Sequence, residues 1–266
     1  MPELPEVETI KRDLEKKILG KKIIAIEADK PKVIKEPSLD KFRKGLVGKR
    51  PKEVIRKAKV LIIKFEDNKF LVIHLRISGW LQYGKKEDKA RVLFKLSDGK
   101  YLNYMDQRLL GELRLRSDYK DLKFIQRLGP EPFELSLKEF KDIIRTKKTK
   151  IKPLLMDQAV ISGIGNIYAQ ESLFESKILP TRQSLSLKDR EISLLYKNIR
   201  GVLNKAIQNR GSSVDTYRDI DGRTGGMEEK LRVYGRQNEP CFKCRRSIKK
   251  INLGGRGTCF CPSCQH

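Results

Sequence analysis

The sequence predicts an α+β chain built in consecutive parts: a β-sandwich flanked by an N-terminal helix, then a helical region, then a small cysteine-rich end. Three observations carry this. Leu4, Val7, Ile10, Leu14 and Ile18 recur at helical spacing across Glu3 to Leu19, and Gly20 stops the run. Short β-rich segments then follow one another to about Leu115. All five cysteines lie beyond residue 240.

The strand segments are Lys22-Glu27, Ala58-Phe65, Phe70-Leu75, Arg91-Leu96, Tyr101-Tyr104 and Glu112-Leu115, with hairpin turns at Asp67-Asn68 and Asp98-Gly99. Gly129-Pro130-Glu131-Pro132 breaks the chain. Helical patterns take over at about Leu137-Arg145, Ile151-Asp157, Asn166-Glu175 and Leu187-Gln208. These breaks divide the chain into 1–131, 132–236 and 237–266.

Lys and Arg number 59 against 34 Asp and Glu, a formal net charge of +25. A field of one sign on this scale attracts a polyanion. A lysine-rich solvated surface, as in thermally robust proteins, accounts for the 35% charged content but not for the excess of one sign. Nothing approaches the roughly 20 apolar residues that span a bilayer, and Met1 to Glu6 lacks the basic start and apolar run of a signal peptide. The expectation is a cytoplasmic protein without a membrane partner, in which clustered cysteines hold metal and not disulfides.

Cys241-x2-Cys244 is followed after sixteen residues by Cys261-x2-Cys264. Two such knuckles place four thiolates around one structural Zn2+ and leave no open position for a catalytic water. The segment is too short for a core of its own, so metal supplies much of its folding energy. Cys259 stands outside the pairs. Between the knuckles, Gly254-Gly255-Arg256-Gly257-Thr258 makes a hairpin tip whose glycines let the backbone, and Arg256, approach a duplex.

Two further segments carry chemistry. In Lys152 to Tyr168 a helix ends near Asp157, crosses a turn containing Gly163 and Gly165, and restarts at Asn166. The new N-terminus offers amide donors and positive dipole to a phosphate. At the chain start, removal of Met1 exposes Pro2 as a secondary amine at a helix N-terminus. A free α-amino group titrates near about 7.7–8.0, and the helix end favours its neutral, nucleophilic form. Glu3 and Glu6 are close enough in sequence for acid–base work beside it.

Taken together these segments resemble the formamidopyrimidine-DNA glycosylase family over essentially the whole chain. The opening Met1 to Thr9, the stretch from Leu155 through Gly163-Ile164-Gly165-Asn166-Ile167-Tyr168 to Phe174, and Val233-Tyr234-Gly235-Arg236 with the four cysteines and Gly255-Arg256-Gly257-Thr258 each match its motifs in order. The resemblance implies a helix-two-turn-helix element and a zinc finger, and a monomer acting on damaged double-stranded DNA. The implied activity is excision of 8-oxoguanine and formamidopyrimidines, then β,δ-elimination at the abasic site through a Schiff base. It implies that Pro2 is the nucleophile, that Glu3 assists base loss and sugar opening, and that Lys59 is the hairpin lysine of the active site. His74, Lys152, Asn166 and Arg256 match residues that grip the DNA backbone, and Arg218-Gly226 matches the loop that closes over an extruded base.

The chain departs from the family where the gap left by that base is filled: Ile77 stands for a methionine and Leu110 for a phenylalanine, with Arg108 retained. Aliphatic side chains plug a gap but lack the flat ring that wedges between base pairs. Two rival readings remain, an endonuclease VIII-like preference for oxidised pyrimidines and a non-catalytic zinc-dependent DNA-binding protein. Leu4 and Arg108 favour the purine branch, and the Pro2-Glu3 pair with Lys59 favours an enzyme.

Overall fold

The computed structural model describes residues 2–214 and 217–266; Met1, whose removal is expected to expose the Pro2 amine, lies outside them. In chain order the elements are α1 (Leu4–Ile18), β1 (Ile23–Ala28), β2 (Ile34–Glu36), α2 (Leu39–Leu46), β3 (Pro51–Lys57), β4 (Val60–Phe65), β5 (Phe70–His74), β6 (Gly79–Gly84), β7 (Val92–Leu96), β8 (Tyr101–Asp106), β9 (Glu112–Arg116), α3 (Lys123–Gln126), α4 (Leu137–Thr146), α5 (Ile151–Met156), α6 (Asn166–Glu175), α7 (Asp189–Gln208), β10 (Lys249–Leu253) and β11 (Arg256–Phe260). The chain forms two compact units. One runs to Gln126 and takes in Asn209–Gly226; the other is Arg127–Gln208 with Met227–His266.

The first unit is a two-sheet sandwich. One sheet has the order β1-β7-β8-β6 and the other β2-β9-β5-β4-β3. All pairings are antiparallel except β2 with β9. Ile26, Leu81, Phe94 and Tyr104 of the first sheet meet Val54, Leu61, Ile73 and Leu113 of the second in one buried cluster. Val7, Ile10, Leu14 and Ile18 of α1 join it, so the apolar stripe read from the sequence faces this core. Each such side chain contributes about 1.5–3 kcal/mol when fully buried. β4 is buried on both faces, because Val60 and Ile62 pack with Leu122 and Ile125 around α3.

The structure adds β2, β3, β6, α2 and α3 to the elements the sequence suggested. β3 is a charged edge strand that begins at Pro51, a position where the missing N–H costs no ladder bond. Ala58 and Lys59 also form a hairpin tip instead of opening a strand: Lys57 pairs with Val60, and Ala58 takes a φ of 52°.

Segment 209–226 belongs to the sandwich unit through specific anchors. Arg210 donates to buried Asp219 at 2.6 Å and to Asp13 of α1. Tyr83 N–H donates to the Ile220 carbonyl at 2.7 Å, along β6, an edge of its sheet. Ser212 N–H donates to the Glu6 carboxylate at 2.8 Å. Gly211, at φ 79°, allows this approach, since a Cβ there would lie 2.7 Å from Glu6 Oε1 and 2.8 Å from its Cγ.

In the second unit α4 opens with a capping box in which Ser136 and Glu139 satisfy each other's backbone N–H. The hairpin β10–β11 pairs Leu253 with Arg256 across Gly254 and Gly255, both at positive φ.

Gly211→Ala is expected to destabilise the sandwich unit by on the order of 1–3 kcal/mol, the cost of a displaced, strained contact. Gly201→Ala, in α7 with nothing within 4 Å of the added Cβ, is expected to stabilise by about 0.5–1 kcal/mol. Chemical denaturation of the two variants checks the opposite signs.

Candidate active site, metal centre and nucleic-acid interface

The N-terminal site grows out of the start of α1. Pro2 is buried and Glu3, the helix N-cap, is almost wholly so. Glu6, one turn along, accepts the Glu3 N–H at 2.8 Å on one oxygen and the Ser212 N–H at 2.8 Å on the other. A carboxylate in the first turn also meets the positive helix end. One side chain therefore fixes both the start of the chain and the segment at Ser212.

Glu8 on the same helix reaches the Lys59 hairpin. Its carboxylate accepts from Arg56 Nε at 2.8 Å, and Arg56 donates to the Ala58 carbonyl at 3.0 Å. Burial pushes the Glu8 carboxyl up, but the Arg56 and Arg12 guanidiniums outweigh it and hold the group below the usual carboxylate range. Lys59 itself is only 8% exposed.

His74 ends β5, opposite Val60 of β4 and Glu112 of β9. Its Nδ1 accepts the Arg76 N–H at 3.2 Å, which leaves the ring proton on Nε2 as a donor. Burial and the charges of Arg76 and Lys59 depress its basicity, against the opposing pull of Glu112, to about 3. The ring is neutral at physiological pH and offers an Nε2–H donor without a charge.

The second unit gathers Lys152, Asn166 and Arg256 around one network. Lys152 of α5 is 0% exposed and donates to Asn166 Oδ1 at 2.6 Å and Thr258 Oγ1 at 2.7 Å. Asn166, at the start of α6, donates to the Gly257 carbonyl at 3.3 Å. Gln170 donates to Asn166 Oδ1 at 3.0 Å and accepts the Cys259 N–H at 2.6 Å. Lys152 thus lies beneath the surface as a brace, while Arg256 stands exposed on the hairpin. Gln170 and Thr258 lie within the family-like motifs, but only the fold reveals what they hold. Gln158 likewise braces the turn before α6, donating to the Met156 and Ile164 carbonyls and accepting the Gly163 N–H.

The Sγ atoms of Cys241, Cys244, Cys261 and Cys264 lie within 4.8 Å of one another. Cys241 and Cys264 are 3.9 Å apart and Cys244 and Cys261 3.4 Å. Ligands at a zinc–sulfur distance of about 2.3 Å sit about 3.8 Å apart on a tetrahedron, so the donor set fits one structural Zn2+. Backbone N–H groups of Lys243 and Cys264 point at Cys241 and Cys261 sulfurs, each at 3.4 Å, as thiolate ligands require. Cys259 is buried beside this set, packed with Phe174, Val233 and Ile248, and is not part of it. Buried Glu171 secures the module's approach by accepting the N–H groups of Arg232, Val233 and Tyr234.

Comparison with known proteins agrees with this geometry. Residues 1–113 match the formamidopyrimidine-DNA glycosylase N-terminal domain, 128–218 its H2TH domain, and 238–266 a zinc finger found in FPG and IleRS. The chain is 42% identical over its whole length to a formamidopyrimidine-DNA glycosylase of Pelotomaculum thermopropionicum, covering 99% of that protein, and 39% identical to that of Lactococcus lactis, also at 99%. It superposes with a TM-score of 0.92 on a Lactococcus lactis FPG variant bound to DNA containing Fapy-dG (39% identity, 99% of each chain). The same score relates it to Lactococcus lactis Fpg with abasic-site DNA at 38% identity, again over 99% of each chain. Fold and metal centre define an α+β chain with a helix-two-turn-helix element and a four-cysteine finger. The chain belongs to the formamidopyrimidine-DNA glycosylase family.

Metal analysis is expected to find about one zinc per chain, and Cys244→Ser to release it while Cys259→Ser retains it. The depressed His74 has a signed consequence: between about pH 6.5 and 3 the unfolded chain takes up a proton there that the native ring refuses. Its contribution to stability is full above that window and is lost as pH falls through it. Imidazole nitrogen NMR should find the Nε2–H tautomer down to about pH 4; titration near 6.5 would contradict the geometry.

Proposed function

We propose that this chain excises 8-oxoguanine and formamidopyrimidines from duplex DNA and then cleaves the abasic strand. The observation that carries the reading is the full-length likeness to glycosylases, joined to a buried Pro2-Glu3 pair at a helix N-terminus. With Met1 removed, the Pro2 nitrogen attacks the sugar C1′; a bond forms from nitrogen to C1′ and the bond to the base breaks, the base leaving with a proton. Glu3 supplies acid–base assistance as the ring oxygen departs and the sugar opens. The product is an iminium with no N–H to lose, and its fixed positive charge acidifies the C2′ proton. Loss of that proton expels the 3′ phosphate, and a second elimination expels the 5′ phosphate. Glu6 keeps the start of α1 in place, and Lys59 adds positive charge at the hairpin.

DNA is held through its phosphates by Arg256, Asn166 and the Nε2–H of His74, with Lys152 fixing Asn166 and the hairpin from below. The excess of positive charge favours the approach of the duplex. Ile77 and Leu110 fill the space vacated by the extruded nucleotide while Arg108 pairs with the base left behind. Zinc, when bound, supplies rigidity to the hairpin and no chemistry. No helix among the described residues is long and apolar enough to cross a membrane; the proposed setting is the cytoplasm, where the protein acts as a monomer.

Borohydride treatment with an abasic duplex should trap a covalent adduct on the peptide that begins at Pro2, and Pro2→Gly should abolish most of it. An adduct mapping to Lys59 would overturn the nucleophile. Arg256→Ala should lower the slope of log binding constant against log salt by about one unit, equally for all sequences. An unchanged slope would exclude a phosphate contact.

A further inference from the structure

Two crossovers between the sheets leave the same strand pair. Gly79, the first residue of β6, sits opposite Asp106, the last of β8. The chain enters β6 from β5 through residues 75–78 and leaves β8 for β9 through residues 107–111. Each crossover carries one exposed apolar side chain, Ile77 at 45% and Leu110 at 42%.

Between them the Asp106 carboxylate is 1% exposed and receives donors from both loops. Its Oδ1 accepts Ser78 Oγ at 2.6 Å and Arg108 N–H at 3.2 Å, and its Oδ2 accepts Gly111 N–H at 2.7 Å and Tyr104 O–H at 3.3 Å. We propose that Asp106 is a positioning residue that sets the spacing of Ile77, Arg108 and Leu110 as one preformed wedge.

The surroundings leave the loops little freedom. Arg76 and Leu109, each next to a loop tip, both sit at φ 53°, a conformation non-glycine residues hold only when their surroundings enforce it. Arg76 is clamped by Glu112 at 2.7 Å. A Cβ at Gly79 would lie 2.5 Å from the Leu75 carbonyl oxygen, and one at Gly111 1.8 Å from the Tyr104 hydroxyl. Neither glycine can be replaced without shifting its loop. An aliphatic wedge cannot stack as an aromatic does, so its effect depends on being held in place before the bases separate. The carboxylate suits this because it offers acceptors on both oxygens; an amide in its place would face the Gly111 N–H or the Ser78 side with a donor.

This inference rests on the proposed glycosylase activity, and its test separates the two. Single-turnover release of 8-oxoguanine is measured from a fully paired duplex and from the same sequence with the lesion in an unpaired bubble. Release by the wild type establishes the activity; release from neither substrate overturns the functional reading itself. Given an active wild type, Asp106→Asn should slow release from the paired duplex by about tenfold and from the bubble by less than about threefold. Ser78→Ala, which frees only the Ile77 loop, should show a smaller loss with the same asymmetry, and it decides the matter if Asp106→Asn fails to fold. Equal losses on both substrates, or no loss on the paired one, would overturn the positioning role.

Discussion

A single carboxylate carries the arrangement of the N-terminal site. Glu6 is buried, and each of its oxygens accepts a backbone N–H, one from Glu3 and one from Ser212. A buried charge is tolerated only when hydrogen bonds replace its hydration, so the same contacts that hold Glu6 also hold the two segments it joins. The site is therefore built from residues more than two hundred positions apart, and Gly211 is required there because any side chain would collide with Glu6. Loop 209–226 gains further fixed points from Arg210 with Asp13 and Asp219, and from Tyr83 at the sheet edge.

The second unit applies a similar economy with a different interaction. Asn166 and Arg256 sit on short elements, a ten-residue helix and a two-stranded hairpin, which hold a fixed position only if something rigid joins them. Four cysteines supply one constraint at the hairpin base, and Lys152 with Gln170 supplies another along β11, at Thr258 and Cys259. The Lys152 ammonium is buried against Asn166 and Thr258, so it ties the start of α6 to the hairpin. Arg256, by contrast, stands exposed on the hairpin.

Much of this was legible in the sequence because the signals were local. The helical stripe of α1, the paired cysteine knuckles and the helix-two-turn-helix motif each occupy a short stretch, and α6 spans the same Asn166–Glu175 that the pattern suggested. Strands β3 and β6 and helix α2 were not legible, since charged or glycine-bounded segments lose their periodicity at a sheet edge or on the surface. The partners of Glu6, Asp106 and Lys152 were not legible either. Ser212, Gly111 and Thr258 are unremarkable residues, and only the fold brings them to those side chains.

The most direct test of Glu6 as the shared joint is amide hydrogen exchange in Glu6→Ala compared with the wild type. The account predicts that protection falls together at Ser212 and in the first turn of α1, because both N–H groups lose the same acceptor. Loss at only one of the two segments, or unchanged protection at both, would contradict it.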